Sequence, residues 1–300
     1  MSAQLSRRRL LVATAAAGFL AACHSGRTAA APSDGGDDYA ALEGKHHAKI
    51  GIYAVDLASS ATVEHRADER FSLCSTFKAY AAARVLQLVD NGQADLAAQV
   101  PVTSDDIVEY SPVTSQAVGS SMPLRDICAA ALQHSDNTAG NLLLRTIGGP
   151  AAITAFARSV GDTQSRLDRW ETALNSAEPH DPRDTTTPRA LCGGYRQILT
   201  GDALSSESRT ELQHWMTANV TSAKRFRAGI PSGWTSADKT GAGDYGSTND
   251  AGLLIGPTGE RIVAVVLVRS LTDVRDSPTF DDAVAEAVRL ALKRFGHLSG

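Results

Sequence analysis

The sequence has no excess of positive charge: 29 Lys and Arg stand against 33 Asp and Glu, for a net charge of −4 and a pI near 6.1. That balance excludes a protein built to bind nucleic acid through its surface charge. No internal repeat is present, and low-complexity composition is confined to His24–Asp38. Cysteine is scarce, with four in 300 residues. Apart from Cys23 there are three, Cys74, Cys128 and Cys192, and an odd number cannot be fully paired within one chain. They are expected to be buried free thiols acting as small hydrophobes. What remains is ordinary for a soluble globular enzyme: 43% hydrophobic and 21% charged residues, 25 Gly and 11 Pro. The length suits one large domain or two small ones.

The N-terminus reads as an address. Ser6-Arg7-Arg8-Arg9 gives a polar, positive start, Leu10–Ala22 is apolar, and Cys23 closes the run. The run is too short to span a bilayer as an anchor. The arginines resemble a twin-arginine export signal, and Leu20-Ala21-Ala22-Cys23 resembles a bacterial lipobox, whose cysteine is lipidated. Simple cleavage with an incidental cysteine is the alternative. Residues 1–22 are thus expected to be removed; with them go three arginines, and the net charge of −4 becomes −7. Residues 23–38 read as a flexible tether, and 39–300 as one catalytic domain.

Strand-like runs occupy 49–55 and 61–65 near one end and 250–255 and 261–268 near the other. Helical spacing marks 76–89, 124–133, 137–147, 151–160, 206–218 and 281–295. Strands at both ends with helices between predict an α+β fold: an antiparallel sheet made by the two chain ends, with flanking helices, plus an all-helical lobe. A cleft between the two is the natural place for a site. Arg166–Pro188 has no periodicity, and so long a patternless stretch inside a compact domain predicts a functional loop.

Four short motifs carry chemistry. In Ser75-Thr76-Phe77-Lys78, residues three apart share a helix face, so Lys78 reaches the Ser75 hydroxyl and a base activates a weak nucleophile. Alone this motif is weak, since about one chance match is expected in a chain of this length. Ser135-Asp136-Asn137 offers a proton-relaying hydroxyl and an amide for a substrate carbonyl, or simply a helix cap. Glu171 and Asn175, on the patternless loop, can grip and deprotonate a water. Lys239-Thr240-Gly241, just before a late strand, makes a carboxylate-binding edge or an ordinary strand-entry turn.

Taken in order, S-x-x-K, S-D-N, E-x-x-L-N and K-T-G resemble the class A serine β-lactamases, in an actinobacterial-like branch. The resemblance covers roughly residues 40–296, including Val108–Pro112 and Arg183–Thr186. It implies the serine β-lactamase/DD-peptidase-like fold with a five-stranded sheet, no cofactor and no metal. It implies hydrolysis of small-molecule β-lactams through a Ser75 acyl-enzyme, and resistance to these antibiotics. In that resemblance the backbone N–H groups of Ser75 and Ala242 form the oxyanion hole, Glu171 and Asn175 activate the deacylating water, and Ser135 protonates the lactam nitrogen. Either Lys78, or Glu171 through a water, activates Ser75. Ser135, Lys239 and Thr240 bind the substrate carboxylate beside Gly241, Asn137 holds a carbonyl and Tyr110 stacks at the rim. Arg225 resembles an alternative arginine for that carboxylate, since Thr248 stands where many relatives carry one. Arg169 and Asp184 are expected to pair, and Glu171-Thr172 to form a cis peptide. Two disulfides found among relatives are absent, because Ala82 and Gly243 stand where the partners of Cys128 and Cys74 would be. A penicillin-binding DD-peptidase or β-lactam sensor, acylated but slow to release, is the alternative; Glu171 and Asn175 speak against it. A non-catalytic lipoprotein module would require loss of Ser75 or Lys78. A monomer is expected, free in the periplasm, secreted, or anchored through Cys23 to the outer face of the cytoplasmic membrane.

Overall fold

The computed structural model describes residues 36–298. The export signal, Cys23 and most of the tether lie outside the described residues. The tether ends earlier than the sequence suggests, because a helix, α1 (Gly36–His46), already includes Asp38. It ends at Lys45 and His46, basic residues that suit a helix C-terminus.

The chain then makes β1 (Ala48–Asp56) and β2 (Thr62–His65) and enters the helical lobe. The lobe comprises α2 (Phe77–Asp90), α3 (Leu124–Gln133), α4 (Asn137–Ile147), α5 (Pro150–Ser159), α6 (Pro188–Thr200) and α7 (Ser206–Thr217). A short helix, α8 (Phe226–Gly229), leads to β3 (Thr235–Gly243), β4 (Ser247–Ile255), β5 (Arg261–Ser270) and α9 (Asp281–Arg294). The five strands form one antiparallel sheet in the order β2-β1-β5-β4-β3. The chain ends therefore meet in the sheet, as expected. The K-T-G triplet does not precede a strand; it lies inside β3, paired across Lys239–Ala251, Thr240–Asp250 and Gly241–Asn249.

The sheet separates two cores. Along β5, Val263, Val265 and Leu267 face the helical lobe. Ile262, Ala264, Val266 and Val268 face α1 and α9, against Tyr39, Val284 and Val288. Both faces are covered, so this strand reads as a continuous apolar run, while its alternation sorts side chains between the cores. Within the lobe, α2 is buried on every side from Phe77 to Ala83. Its run of alanines permits close approach of its neighbours, and it brings Ser75 and Lys78 to the sheet edge at β3. Cys74, Cys128 and Cys192 are free and buried.

Candidate active site

Ser75 sits in a 3-10 turn (Cys74–Thr76) that runs straight into α2. Its side chain and that of Lys78 meet as the three-residue spacing predicts: Lys78 Nζ is 2.8 Å from Ser75 Oγ. Lys78 Nζ also contacts the Ser135 carbonyl (2.8 Å), Asn137 Oδ1 (2.7 Å) and Glu171 Oε1 (2.9 Å). Ser75 Oγ donates to the same Glu171 oxygen at 3.3 Å. Burial pulls the Lys78 ammonium below its usual range, although Glu171 opposes the shift.

The second motif is both a cap and a site. Asp136 caps α4 by accepting from the Ala139 N–H at 2.8 Å. It also takes the Val113 and Thr114 N–H groups and the Thr114 hydroxyl, which fixes the segment carrying Tyr110. Ser135 Oγ accepts from Lys239 Nζ at 2.9 Å. Asn137 spends its amide inside the protein: Nδ2 donates to the Glu109 carbonyl at 2.9 Å while Oδ1 takes Lys78. Cys74, Tyr110 and Ser135 all have positive φ, near 45°, 57° and 57°. Such conformations cost about 1–3 kcal/mol each and persist where the surroundings over-determine them.

The patternless stretch folds as a loop pressed under the cleft. Arg169 Nε pairs with Asp184 Oδ2 at 2.5 Å, and Asp184 also accepts the Asp168 and Arg169 N–H groups. The Glu171–Thr172 peptide is cis. Asn175 Nδ2 donates to Glu171 Oε2 at 2.6 Å. A residue not singled out from the sequence, Asn141, brackets Glu171: its Oδ1 accepts the Glu171 N–H at 2.9 Å and its Nδ2 donates to the Glu171 carbonyl at 3.0 Å. The available signal was its place four residues after Asn137, on the same helix face. Gly140 beside it leaves room for the lysine, since a Cβ there would come within 2.7 Å of Lys78 Cε and the side chain would have to shift.

On β3, Lys239 is fully buried, and burial followed by the charge of Lys78 depresses its pKa strongly. Thr240 Oγ1 is hydrogen-bonded to Thr221 Oγ1, a second residue that the sequence did not reveal. Arg225 is held at the cleft wall by its other contacts: it donates to the Gly241 and Asn249 carbonyls at 2.7 and 2.8 Å and pairs with Asp281 at 2.7 Å. Gly243 permits the loop to close on β3, because a Cβ there would fall 2.6 Å from the Asn175 carbonyl and 2.9 Å from Cys74 Sγ. Thr248 is buried, its hydroxyl donating to the Gly246 carbonyl and accepting the Phe280 N–H.

A cleft of about 830 Å³ opens above these groups. Ser75, Tyr110, Ser135, Asn137, Asn175, Arg225, Thr240, Gly241 and Ala242 line it. Lys78, Glu171 and Lys239 do not; they lie under the floor, where their charges act without solvent. Tyr110 stands at the rim, 58% exposed.

A reachable serine backed by a buried lysine and a buried carboxylate, on a sheet-plus-helical-lobe scaffold, defines a serine β-lactamase. The chain belongs to the β-lactamase enzyme family, whose model matches residues 37–295. It is 45% identical over 292 residues to a β-lactamase of Streptomyces lavendulae, covering 95% of this chain and 93% of that one. It is 43% identical over 300 residues to one from Nocardia asteroides, covering 97% and 96%. Among solved structures, a β-lactamase from Streptosporangium roseum superposes with a TM-score of 0.85 at 40% identity, covering 88% of this chain and 98% of that one. The class A β-lactamase of the last common ancestor of Gram-negative bacteria gives 0.82 at 44% identity, with 87% and 98% covered. The protein therefore hydrolyses β-lactams and confers resistance to them. Among the described residues, no helix is long and apolar enough to cross a membrane.

Proposed function

We propose that the hydrolysis runs through a Ser75 acyl-enzyme released by a water that Glu171 activates. One observation carries this reading: Ser75 Oγ, Lys78 Nζ and Glu171 Oε1 lie in mutual contact while Asn175 holds the other Glu171 oxygen. Ser75 Oγ attacks the lactam carbonyl and gives its proton to the Lys78–Glu171 pair. The carbonyl oxygen becomes negative and is received by the Ser75 and Ala242 N–H groups; losing one such donor typically costs about 100- to 1000-fold in rate. The C–N bond breaks, and Ser135 Oγ, held by Lys239, passes a proton to the departing nitrogen and is resupplied with the proton that the Lys78–Glu171 pair took from Ser75. The substrate carboxylate binds at Ser135 and Thr240 above Lys239, which acts on it from the floor through its charge and through Ser135, with Gly241 and Arg225 beside them; Asn137 and Tyr110 contact the rest of the molecule.

In the second half, Glu171 takes a proton from a water lying between it and Asn175. The water oxygen attacks the ester, and Ser75 leaves with its proton restored. Asn175 Oδ1 supports this reading: it is a buried acceptor with no partner among the described residues, and a water satisfies such a group.

The purified protein is expected to hydrolyse a chromogenic cephalosporin many times per active site. Glu171→Ala should accumulate a covalent adduct by intact mass and Ser75→Ala none; wild-type turnover in the Glu171 variant would refute the role assigned to it.

The same reading makes residues 1–22 a twin-arginine-type export signal, the stretch from 23 to the start of α1 a tether and the remainder the catalytic domain, the protein being a monomer. Lipidation at Cys23 accounts for the cysteine closing the apolar run, and it places the enzyme on the outer face of the cytoplasmic membrane. Cys23→Ser should then move activity from the detergent phase to the aqueous phase; an unchanged partition would leave plain cleavage and a periplasmic or secreted enzyme.

A further inference from the structure

Two carboxyl groups with no part in the chemistry above lie behind the K-T-G strand. Asp238 and Asp250 are both 0% exposed. Their side chains share a face of the sheet as diagonal neighbours on adjacent strands, Asp238 opposite Gly252 and Asp250 opposite Thr240, and each acid feels the other. The charged groups that face them are Arg225, Arg227 at 3.6 Å from Asp238, and the Lys239 ammonium, with the Tyr195 hydroxyl on the other side. Arg225 is already committed to Asp281 and two carbonyls. Two buried carboxylates in contact cannot both ionise cheaply, and such pairs retain a proton.

Both acids hold the same loop. Asp250 accepts from Ser222 Oγ at 2.7 Å and from the Phe226 N–H at 3.2 Å. Asp238 accepts from Ser236 Oγ at 3.0 Å and from Asn219 Nδ2 at 3.3 Å. Asn219 Oδ1 receives the Thr221 N–H at 2.8 Å, and Thr221 Oγ1 meets Thr240 Oγ1. The loop is thus tied to the pair at Asn219, at Ser222 and just after Arg225. Asn219 Oδ1 also receives the Thr221 hydroxyl at 2.7 Å, so Asn219 fixes the Thr221 side chain, and Thr221 Oγ1 in turn accepts from Thr240 and holds that hydroxyl at the cleft wall.

We propose that Asp238 and Asp250 are positioning residues that share one proton and thereby hold the 219–225 loop so that Thr240 and Arg225 face the substrate carboxylate. This rests on the assignment of that carboxylate to Thr240 and Arg225. Burial raises both acids and their mutual repulsion adds to it for Asp250. The unfolded chain releases the proton that the folded pair keeps, so this site lowers stability as pH rises from about 4 toward the pair's own pKa.

An amide can take the place of the protonated acid, which sets the test. Asp250→Asn should fold and keep KM within about twofold of wild type for a cephalosporin bearing its free carboxylate. Its Tm should gain on wild type as pH is raised from 5 to 8. Asp250→Ala, which strips the Ser222 and Phe226 donors of their acceptor, should raise KM about tenfold for the free acid. It should leave kcat and the methyl-ester substrate little changed; if it does not fold, Ser222→Ala serves in its place. An Asn variant that does not fold, that is as impaired as the Ala variant, or whose Tm difference is flat with pH would overturn the proposal by showing that the site needs two charges. Thr240→Ala separates the two layers. If it leaves the preference for acid over ester intact, the carboxylate assignment has failed; if it abolishes that preference while Asp250→Ala does not, only the role of the pair has failed.

Discussion

Lys78 has three protons at most and four oxygens around it: Ser75 Oγ, the Ser135 carbonyl, Asn137 Oδ1 and Glu171 Oε1, all between 2.7 and 2.9 Å. As an ammonium it satisfies three and leaves the Ser75 proton directed at Glu171. As an amine it donates twice and accepts from Ser75. Burial favours the amine, the Glu171 charge favours the ammonium, and the net effect lowers the lysine, which eases the return of any proton it takes from Ser75. Asn175 tests the other end of this cluster. Asn175→Ala leaves the Glu171 carboxyl in place but removes the amide that orients it. Hydrolysis of the acyl-enzyme should slow on the order of 100-fold, the low end of what positioned proton transfer contributes. The pre-steady-state burst should still reach one equivalent per enzyme at the wild-type rate. A variant slow in the burst itself would mean that Asn175 supports acylation or the fold instead.

At the scale of elements, the loop 161–187 depends on a few buried polar anchors, because it has no apolar stripe of its own. Asp162 takes the Tyr80 hydroxyl at 2.8 Å, and Asp184, 1% exposed, takes Arg169 and two N–H groups. Removing one partner of a buried pair costs about 3–5 kcal/mol, less where hydrogen bonds to the survivor remain. Arg169→Ala should therefore lower stability by about 2–3 kcal/mol in chemical denaturation and slow deacylation more than acylation, since Glu171 lies two residues away. Equal slowing of both would mean that the loop supports the whole cleft. This dependence also explains what could be read in the sequence. Elements buried by apolar periodicity were legible: 124–133 and 137–147 coincide with α3 and α4, and β1, β2, β5 and α9 lie within a few residues of their expected places. Elements that spend their side chains on polar work were not. β3 carries Asp238, Lys239 and Thr240 and lacks an apolar alternation, so it looked like a turn. α6 contains Gly193 and Gly194, poor helix formers, yet a Cβ at Gly194 would strike the Tyr80 hydroxyl at 1.7 Å. α1 begins in a Gly- and Asp-rich stretch and is held by tertiary contacts, Tyr39 donating to the Ala287 carbonyl at 3.3 Å. The motif residues were legible by order and spacing. Asn141 and Thr221 were not, because they touch motif residues and belong to no motif.

At the scale of the whole molecule, electrostatics ties the sheet to its covering helices, and the signs differ from place to place. Burial alone would raise Glu43, but the Arg66 guanidinium and the Ile50 N–H outweigh it and hold it lowered, fastening α1 to β1. Glu286 is lowered likewise, against the pull of burial, by Lys45 and His46 from α1. In the lobe, Arg145 and the Thr103 N–H depress Asp106 from 3.8 to about 2. A carboxylate lowered in the folded state contributes stability that is complete above its unfolded pKa and is lost as pH falls through its folded pKa. The Asp238–Asp250 pair has the opposite sign, so stability should be greatest between the two regimes. Across the acid limb, the Tm of the described domain should hold from pH 6 to about 5 and fall steadily between about pH 4 and 2, the window set by Asp106 and its companions. These pairs are partly exposed, so each is worth a fraction of what its pKa shift suggests, and salt weakens them. Asp106→Asn isolates one of them. The variant should be less stable than wild type at pH 6 by thermal melting in low salt, and the difference should shrink to nothing by about pH 2, where wild-type Asp106 is itself protonating. A difference that persists undiminished at pH 2 would show that Asp106 acts as a neutral helix-turn cap for Thr103 and contributes nothing through its charge.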